Sequence, residues 1–79
     1  MAKIKGLVLD KFTGEPLKAL ITANHYRTYA TDGSFELEVP PGSYIVRCEA
    51  GGYETEVASV TVTNEATVNF LLTPKVKLL

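Results

Sequence analysis

The sequence TDGSFELEVPPGSYIVRCEAGGY, residues 31–53, contains two segments in which apolar and polar residues alternate. In the first segment Phe35, Leu37 and Val39 share one phase, and serine or glutamate occupies the other. This period of two is typical of a β-strand with one buried and one solvent-exposed face, so two consecutive strands are predicted. The second strand has Tyr44, Val46, Cys48 and Ala50 on its apolar phase and Ile45, Arg47 and Glu49 on its exposed phase.

Turn residues precede each of these strands. Asp32-Gly33 predicts a tight turn, because an aspartate side chain can accept a hydrogen bond from the backbone two residues on and glycine accepts a positive φ. Pro41-Gly42 predicts a type II turn, with proline at the second position and glycine at positive φ at the third. We therefore expect a β-meander, in which Asp32-Gly33 closes a hairpin with residues 24–30 and each strand pairs with the next.

Alternation and turn residues predict five further strands outside this stretch. The segment 24–30 fits either a short strand or a loop, because its residues are polar and aromatic and its phase is ambiguous. No window of eleven or more residues shows helical spacing without an internal glycine or proline. Short strands separated by turns predict an all-β fold, a single antiparallel seven-stranded two-sheet sandwich. The five strands are residues 3–10, 17–23, 24–30, 54–63 and 67–73, with turns at 11–16 and 64–66.

The apolar phases of the predicted strands define a core. Its one thiol, Cys48, is expected to be a buried small hydrophobe rather than a reactive group. The predicted core residues are Ile4, Val8, Leu17, Ala19, Ile21, Phe35, Leu37, Val39, Tyr44, Val46, Cys48, Val60, Val62, Val68, Phe70 and Leu72.

Size and charge limit the possible functions. Seventy-nine residues predict one domain over residues 1–79, with 74–79 as a tail or an extra edge strand. A formal net charge of −1 with scattered basic residues disfavours nucleic acid and anionic lipid as partners. One cysteine and one histidine form neither an intrachain disulfide nor a zinc site, so no metal or cofactor is expected. Without a signal peptide pattern we expect a soluble, cytoplasmic chain as written, or an extracellular one if it belongs to a larger secreted parent.

The order of these motifs resembles the carboxypeptidase regulatory-like domains, from Ile4 to about Leu72. The resemblance implies a transthyretin-like, or prealbumin-like, β-sandwich that acts as an accessory module beside catalytic, receptor or surface domains, usually without catalytic residues of its own. The matching residues are Ile4-x-Gly6-x-Val8-x-Asp10, Thr13-Gly14-Glu15-Pro16-Leu17-x-Ala19-x-Ile21, Thr31-Asp32-Gly33-x-Phe35-x-Leu37, Pro41-Gly42-x-Tyr44 and Gly52-Tyr53-Glu54.

Several acidic residues are candidates for a metal or catalytic site. Asp10, Asp32 and Glu38 would be calcium ligands only if six or more oxygens converged, and the two aspartates are better explained by turns. Glu36 and Glu38 lie on one strand face but without a pocket they do not indicate a hydrolase. The transthyretin-like enzymes that hydrolyse a purine-degradation intermediate use several histidines and end in Tyr-Arg-Gly-Ser, whereas this chain has one histidine. We therefore expect no enzyme and no catalytic residue, with such a hydrolase as a remote alternative.

Two binding hypotheses remain. The first is a non-catalytic protein-interaction module that buries outward apolar residues against a like chain, as a homodimer, or against a neighbouring domain. The second is a carbohydrate-binding module in which aromatic side chains stack on sugar. The candidate interface consists of Leu7, Leu9, Leu20, Leu71, Val76 and Leu78, and the candidate sugar surface of His25, Tyr26, Arg27 and Tyr29.

The segment 75–79, KVKLL, alternates as an edge strand would, and it follows Pro74, which cannot donate a ladder hydrogen bond. One hypothesis is that it adds to a free sheet edge of another chain. The alternative is a frayed chain end.

Overall fold

The structure is a computed structural model that describes residues 1–75. Those residues form an all-β, two-sheet sandwich without a helix, as predicted. They contain eight strands, one more than expected. The strands are β1 (Ala2–Asp10), β2 (Ala19–Ala23), β3 (Tyr26–Ala30), β4 (Ser34–Val39), β5 (Gly42–Glu49), β6 (Glu56–Val62), β7 (Glu65–Thr67) and β8 (Phe70–Leu72).

The first sheet has the order β4-β1-β7, with β8 also paired to β1, and the second has the order β3-β2-β5-β6. Every pair in the second sheet is antiparallel. In the first sheet β4 is antiparallel to β1, but β7 and β8 run parallel to it. The prediction of a wholly antiparallel sandwich is therefore wrong for this edge. The chain crosses from the second sheet to the first between β6 and β7. No tight hairpin joins β7 to its neighbour β1, so nothing in the connection requires these two strands to be antiparallel.

The predicted meander is also wrong on both sides of β4, although β2 pairs with β3 and β5 with β6 as consecutive antiparallel strands. Strand β4 pairs with β1, whereas β5 pairs with β2 and β6, so the Pro41-Gly42 connection leads from the first sheet to the second. Asp32-Gly33 likewise connects β3 of the second sheet to β4 of the first and does not close a hairpin. Turn residues fix a change of chain direction, but they do not specify whether the two strands then hydrogen-bond or face each other across the core.

Gly42 shows why the second turn differs from its prediction. Its φ is 158°, close to extended backbone, whereas a type II turn would place about +80° at that position. Gly42 already belongs to β5, where it is in register with Val62. The buried Tyr44 hydroxyl donates to the Pro40 carbonyl and so secures the crossing between the sheets.

The eighth strand arises because two short strands, β7 and β8, separated by a gap at Val68 and Asn69, replace the predicted turn at 64–66 and strand at 67–73. The register to β1 is the same on both sides of the gap, since Lys5 is opposite Thr67 and, three residues later on each strand, Val8 is opposite Phe70. The predicted turn at 64–66 is too long, because β7 begins at Glu65.

The interruption lies beside Gly6. A Cβ built on Gly6 would be 1.7 Å from the Val68 carbonyl oxygen, so β1 approaches this connection closely only because Gly6 lacks a side chain. Hydrogen bonds continue across the gap: the Val68 N–H donates to the Lys5 carbonyl at 2.8 Å. The Leu7 N–H donates to the Asn69 side-chain oxygen at 3.0 Å.

Thirteen of the predicted core residues are buried. Leu17, Val60 and Val68 are only partly buried and pack against the core from its margin. Cys48 is fully buried, as predicted, and burial together with nearby Glu56 and Glu49 raises the pKa of its thiol to about 11. The buried hydrophobic residues that the prediction omitted are the small ones Ala2, Ala23 and Ala30.

Candidate functional site

The outer face of the first sheet presents three neighbouring leucines. Leu7 and Leu9 alternate with buried Val8 on β1 and therefore point away from the core. Leu9 is in register with Leu71 on the adjacent β8, so their side chains are cross-strand neighbours. Leu7 is 44% and Leu71 54% exposed, while Leu9 is partly buried. We call Leu7, Leu9 and Leu71 the outer leucine patch.

Charged residues continue this face toward the start of β1. Lys3 is in register with Glu38 and Lys5 with Glu36. The Lys3 Nζ lies 3.4 Å from a Glu36 carboxylate oxygen, and the Lys5 Nζ lies 3.1 Å from one of Glu65. These pairs are substantially exposed, so each contributes about 0–1 kcal/mol to stability. The arrangement of these residues is more informative than their contribution to stability, because positive and negative charges alternate beside the leucines.

A shallow depression of about 400 Å³ lies between the leucines and the charges. The depression is open to solvent, so the Glu36 side chain that lines it does not lie in an enclosed reaction site. The depression is lined by Lys5, Gly6, Leu7, Ser34, Phe35, Glu36, Thr67 and Asn69.

The remaining residues of the predicted interface do not join this patch. Leu20 lies on β2 of the second sheet, where it is opposite Tyr29 and Glu49. It is partly buried and points outward on the other side of the sandwich. Val76 and Leu78 lie outside the described residues.

The predicted sugar surface is divided between two faces. Asn24 adopts a left-handed φ of 57° in a two-residue turn with His25, and β3 begins at Tyr26. Tyr26 points toward the core, where its ring contacts Tyr44 edge to face at 6.2 Å between centroids. Arg27 lies on the opposite, outer face, because successive strand residues alternate.

Tyr29 shares the outer face with Arg27 and is 63% exposed. His25 stays at the turn, where its ring lies 5.6 Å from that of Tyr26. The four predicted residues therefore do not form one surface.

Besides Met1, two large apolar residues, Val57 and Phe12, are exposed although the sequence patterns did not predict it. Val57 is 55% exposed on β6, on the same outer face as Ile45, which was expected outside and is 54% exposed. Val57 has the same strand phase as Ser59, which was predicted to point outward, so alternation could have predicted that Val57 is exposed. Phe12 is 73% exposed in the turn after β1, and an aromatic residue between turn-forming residues was the available signal.

Asp10 is the most constrained carboxylate of the described chain. It is only 6% exposed, and its Oδ1 accepts the backbone N–H groups of Phe12 at 2.7 Å and Thr13 at 2.9 Å. Its Oδ2 accepts the Tyr53 hydroxyl at 2.7 Å. The Tyr53 hydrogen bond, followed by the two backbone ones, lowers the pKa of Asp10.

Asp32 also serves a turn, as predicted for both aspartates. One of its oxygens accepts the Ser34 N–H at 3.2 Å and the Ser34 hydroxyl at 2.8 Å, and these bonds lower the pKa of Asp32. Within residues 1–75, no group of three or more histidine, cysteine, aspartate or glutamate side chains is placed to hold a metal ion. No helix in that part of the chain is long and apolar enough to cross a membrane.

The fold and the exposed surfaces define a small all-β sandwich domain with an apolar outer face. The chain belongs to the carboxypeptidase regulatory-like domain family, whose model matches residues 3–73. This confirms the resemblance seen in the sequence motifs.

Relatives in the family are much longer proteins. The chain is 33% identical to carboxypeptidase E from Caenorhabditis elegans over 86 residues and 40% identical to carboxypeptidase Z from Gallus gallus over 79 residues. Each match covers 90% of this chain. It covers only 18% and 12%, respectively, of the length of those relatives.

Two solved structures share the fold. A type II cohesin–X-dockerin complex from Acetivibrio cellulolyticus matches with a TM-score of 0.78 and 18% identity, covering 91% of this chain and 57% of that one. A candidate carbohydrate-binding protein from Bacteroides uniformis matches with a TM-score of 0.65 and 22% identity, covering 92% and 41%. At such identities the likeness establishes the fold alone.

Proposed function

We propose that this chain is a non-catalytic protein-interaction module that self-associates through the outer leucine patch. The observation that supports this most directly is the juxtaposition of Leu9 and Leu71 in register, with Leu7 on the same face. Three contiguous outward leucines on one sheet gain free energy when a partner covers them, because apolar area is then removed from water.

Charge complementarity favours a second copy as the partner. The outer leucine patch adjoins lysines of β1 and glutamates of β4, so the face has both signs of charge. A two-fold axis brings such a face against itself, with the lysines of one copy beside the glutamates of the other. A face of one sign would repel its own copy.

The longer relatives suggest a second kind of occupant. The matched region is a small part of carboxypeptidases E and Z, so in those proteins it is joined to a much longer chain that could cover the same face. Packing on a neighbouring domain is therefore the alternative outcome of the experiment below.

The test is light scattering coupled to size exclusion over a range of concentrations. We expect the wild-type chain to run as a dimer and Leu71→Lys as a monomer, because the new charge would be buried without a partner. The matched control is Ile45→Lys, since Ile45 is also 54% exposed but lies on the outer face of the second sheet. Ile45→Lys should remain a dimer.

The opposite results would contradict this proposal. If Ile45→Lys abolishes the dimer and Leu71→Lys does not, the interface is on the second sheet. If the wild-type chain is monomeric throughout, self-association is wrong and a neighbouring domain is the occupant to test.

A carbohydrate-binding module is a second candidate, supported by the exposed ring of Tyr29. Arg27 lies on the same face, and Leu20 is opposite Tyr29 on the next strand. A flat aromatic ring at an exposed sheet face is a surface on which a sugar can stack. Titration with a glycan panel should shift the NMR signals of Tyr29, Arg27 and Leu20 and leave those of core-facing Tyr26 unchanged. No shift with any glycan would remove this candidate.

A further inference from the structure

Strand β4 has a free edge within residues 1–75. It pairs with β1 on one side, and no other described strand pairs with it. A six-residue edge strand leaves a row of backbone N–H and C=O groups without ladder partners. Its exposed phase has Glu36 and Glu38, and its buried phase has Leu37 between them. The edge therefore offers both backbone hydrogen bonds and a pattern of alternating acidic and apolar residues.

The existing partner of β4 shows which sequence fits this pattern. On β1, Lys3 is opposite Glu38, Ile4 opposite Leu37, and Lys5 opposite Glu36. The same order of residue types, lysine, β-branched aliphatic, lysine, recurs once more in the chain, at residues 75–77. Cross-strand pairs of opposite charge and of apolar side chains are the contacts that stabilise such a ladder.

We propose that residues 75–79 of a second copy add to the free edge of β4 as an antiparallel strand, in the register that β1 uses. Lys75 then lies opposite Glu38, Val76 opposite Leu37, and Lys77 opposite Glu36. This inference rests on the proposed function, because it identifies a contact made when the module self-associates. It adds strand pairing at one sheet edge to the burial of the outer leucine patch.

The segment must come from another copy because it cannot adopt this register within its own chain. The Lys75 N–H donates to the Gly52 carbonyl at 2.9 Å, close to where Leu72 pairs with Asp10. Glu38 is opposite Lys3, seven residues from Asp10 along β1, or about 23 Å. Lys75 is held at Gly52 and therefore cannot lie opposite Glu38 of the same chain.

The other sheet edges lack the matching charges. The outward residues of β6 are Val57, Ser59 and Thr61, which carry no charge. On β3 the outward Arg27 would repel a lysine. On β7 the outward residues are Glu65 and Thr67, so that edge has one carboxylate where β4 has two, and on β8 the outward residue is Leu71. Charge complementarity therefore selects β4 among the edges of the described sheets.

Disulfide trapping between two full-length single variants tests the proposed register. Glu36→Cys and Lys77→Cys are mixed under mildly oxidising conditions, and we expect a covalent heterodimer. Native Cys48 is fully buried and should not react. The matched control replaces Glu36→Cys with Ser59→Cys, an exposed position on the β6 edge, and should give no heterodimer above background.

A charge exchange provides a second measurement that does not depend on a new thiol. Glu38→Lys and Lys75→Glu should each weaken dimerisation roughly threefold or more, and the two together in one chain should restore it. Restoration would support pairing of these two positions, and additive weakening would contradict it.

The outcomes distinguish this inference from the proposed function. A heterodimer with Glu36→Cys but not with Ser59→Cys supports both. If the chain dimerises by light scattering and Glu36→Cys cross-links no more than Ser59→Cys, the β4 inference is overturned and self-association stands. If the chain neither dimerises nor cross-links, both are overturned.

Discussion

Two turns in this domain combine an aspartate with a glycine, but the residue that contacts a distant part of the chain is the aspartate in one turn and the glycine in the other. The first starts at Asp10, the last residue of β1, and contains Gly14, and the second precedes β4 and contains Asp32 and Gly33. In both, the aspartate accepts backbone N–H groups two or three residues further on. Their local hydrogen bonding is therefore alike, and the difference lies in what each turn contacts elsewhere.

In the first turn the aspartate makes the distant contact. Asp10 is buried and accepts the hydroxyl of Tyr53, which lies 43 residues away in the sequence. Gly14 adopts a left-handed φ of 76°, and a Cβ added there would have no neighbour within 4 Å. The glycine of this turn is therefore needed for its backbone conformation alone.

In the second turn the glycine makes the distant contact. A Cβ added to Gly33 would be 2.3 Å from the Cβ of Pro16, which belongs to the first turn. The Gly33 carbonyl also accepts the Val8 N–H at 2.7 Å. Asp32 is exposed and bonds only to nearby Ser34. The same pair of residue types can thus anchor a turn through a side chain or through the absence of one.

The largest effect is expected from Gly33→Ala. The left-handed φ of 89° costs alanine about 1–2 kcal/mol, and the overlap with Pro16 adds about 1–3 kcal/mol. We expect urea denaturation to show a loss of roughly 2–5 kcal/mol in the free energy of unfolding. Gly14→Ala is the matched control, with only the backbone term of about 1–2 kcal/mol. Equal losses would show that the contact with Pro16 is unimportant.

Asp10→Ala should have the next largest effect. It removes the acceptor of two turn N–H groups and leaves the Tyr53 hydroxyl without its partner. We expect the melting temperature to fall by several degrees, and by more than in Tyr53→Phe, which removes one of the three hydrogen bonds. Scanning calorimetry of both variants at pH 7 would measure this. A smaller loss in Asp10→Ala than in Tyr53→Phe would contradict the assignment of Asp10 as the shared acceptor.

The pKa of Asp10 should depend on a distant residue and that of Asp32 on a near one. The ordinary value is 3.8, and hydrogen bonds to the ionised form, first that of Tyr53, lower the pKa of Asp10. Its ionised form therefore stabilises the fold above pH 3.8, and this stabilisation is lost as the pH falls through the lower folded-state pKa. In Tyr53→Phe the pKa of Asp10 should rise toward 3.8, so that the loss of stability in acid becomes smaller and is complete at a higher pH.

NMR titration of the side-chain carboxyls would measure both aspartates at once. Tyr53→Phe should leave the pKa of Asp32 unchanged. Ser34→Ala should raise the pKa of Asp32 and leave that of Asp10 unchanged, because the hydrogen bond from the Ser34 hydroxyl is the main reason why the pKa of Asp32 is lowered. A shift of both aspartates in either variant would show that the two turns are coupled.

These turns also show how far the sequence predicts the fold. The turn positions and the left-handed conformation of Gly33 are local properties, and residue type alone predicted them. The contacts of Asp10 with Tyr53 and of Gly33 with Pro16 join residues that are distant in sequence, and no local pattern specifies them. The erroneous hairpin at Asp32-Gly33 has the same origin, because a turn signal does not identify the sheet of the next strand.

For the candidate site as well, the sequence predicted local properties but not contacts between distant residues. Alternation predicted that Leu7, Leu9 and Leu20 point outward, and each does. Alternation assigns a residue to the inside or outside of its sheet but does not say which sheet contains the strand. The sequence therefore could not show that Leu20 lies on the other side of the sandwich, nor that Leu71 is the cross-strand neighbour of Leu9.

The smallest effect is expected from Asp32→Ala. The side chain is exposed, and both of its hydrogen bonds go to Ser34 in the same turn, so water can replace them when they are lost. We expect calorimetry to show a change of about 3 °C or less in the melting temperature, typical of a surface substitution in a domain of this size.

Asp10→Ala is the matched comparison for this variant, because the residue change is identical and both aspartates bond to their own turns. If Asp32→Ala destabilises as much as Asp10→Ala, local turn bonds determine stability at both sites and the contact with Tyr53 adds little. If Asp32→Ala is nearly neutral while Asp10→Ala is not, the difference measures what the distant hydrogen bond and burial add to a turn that is otherwise the same.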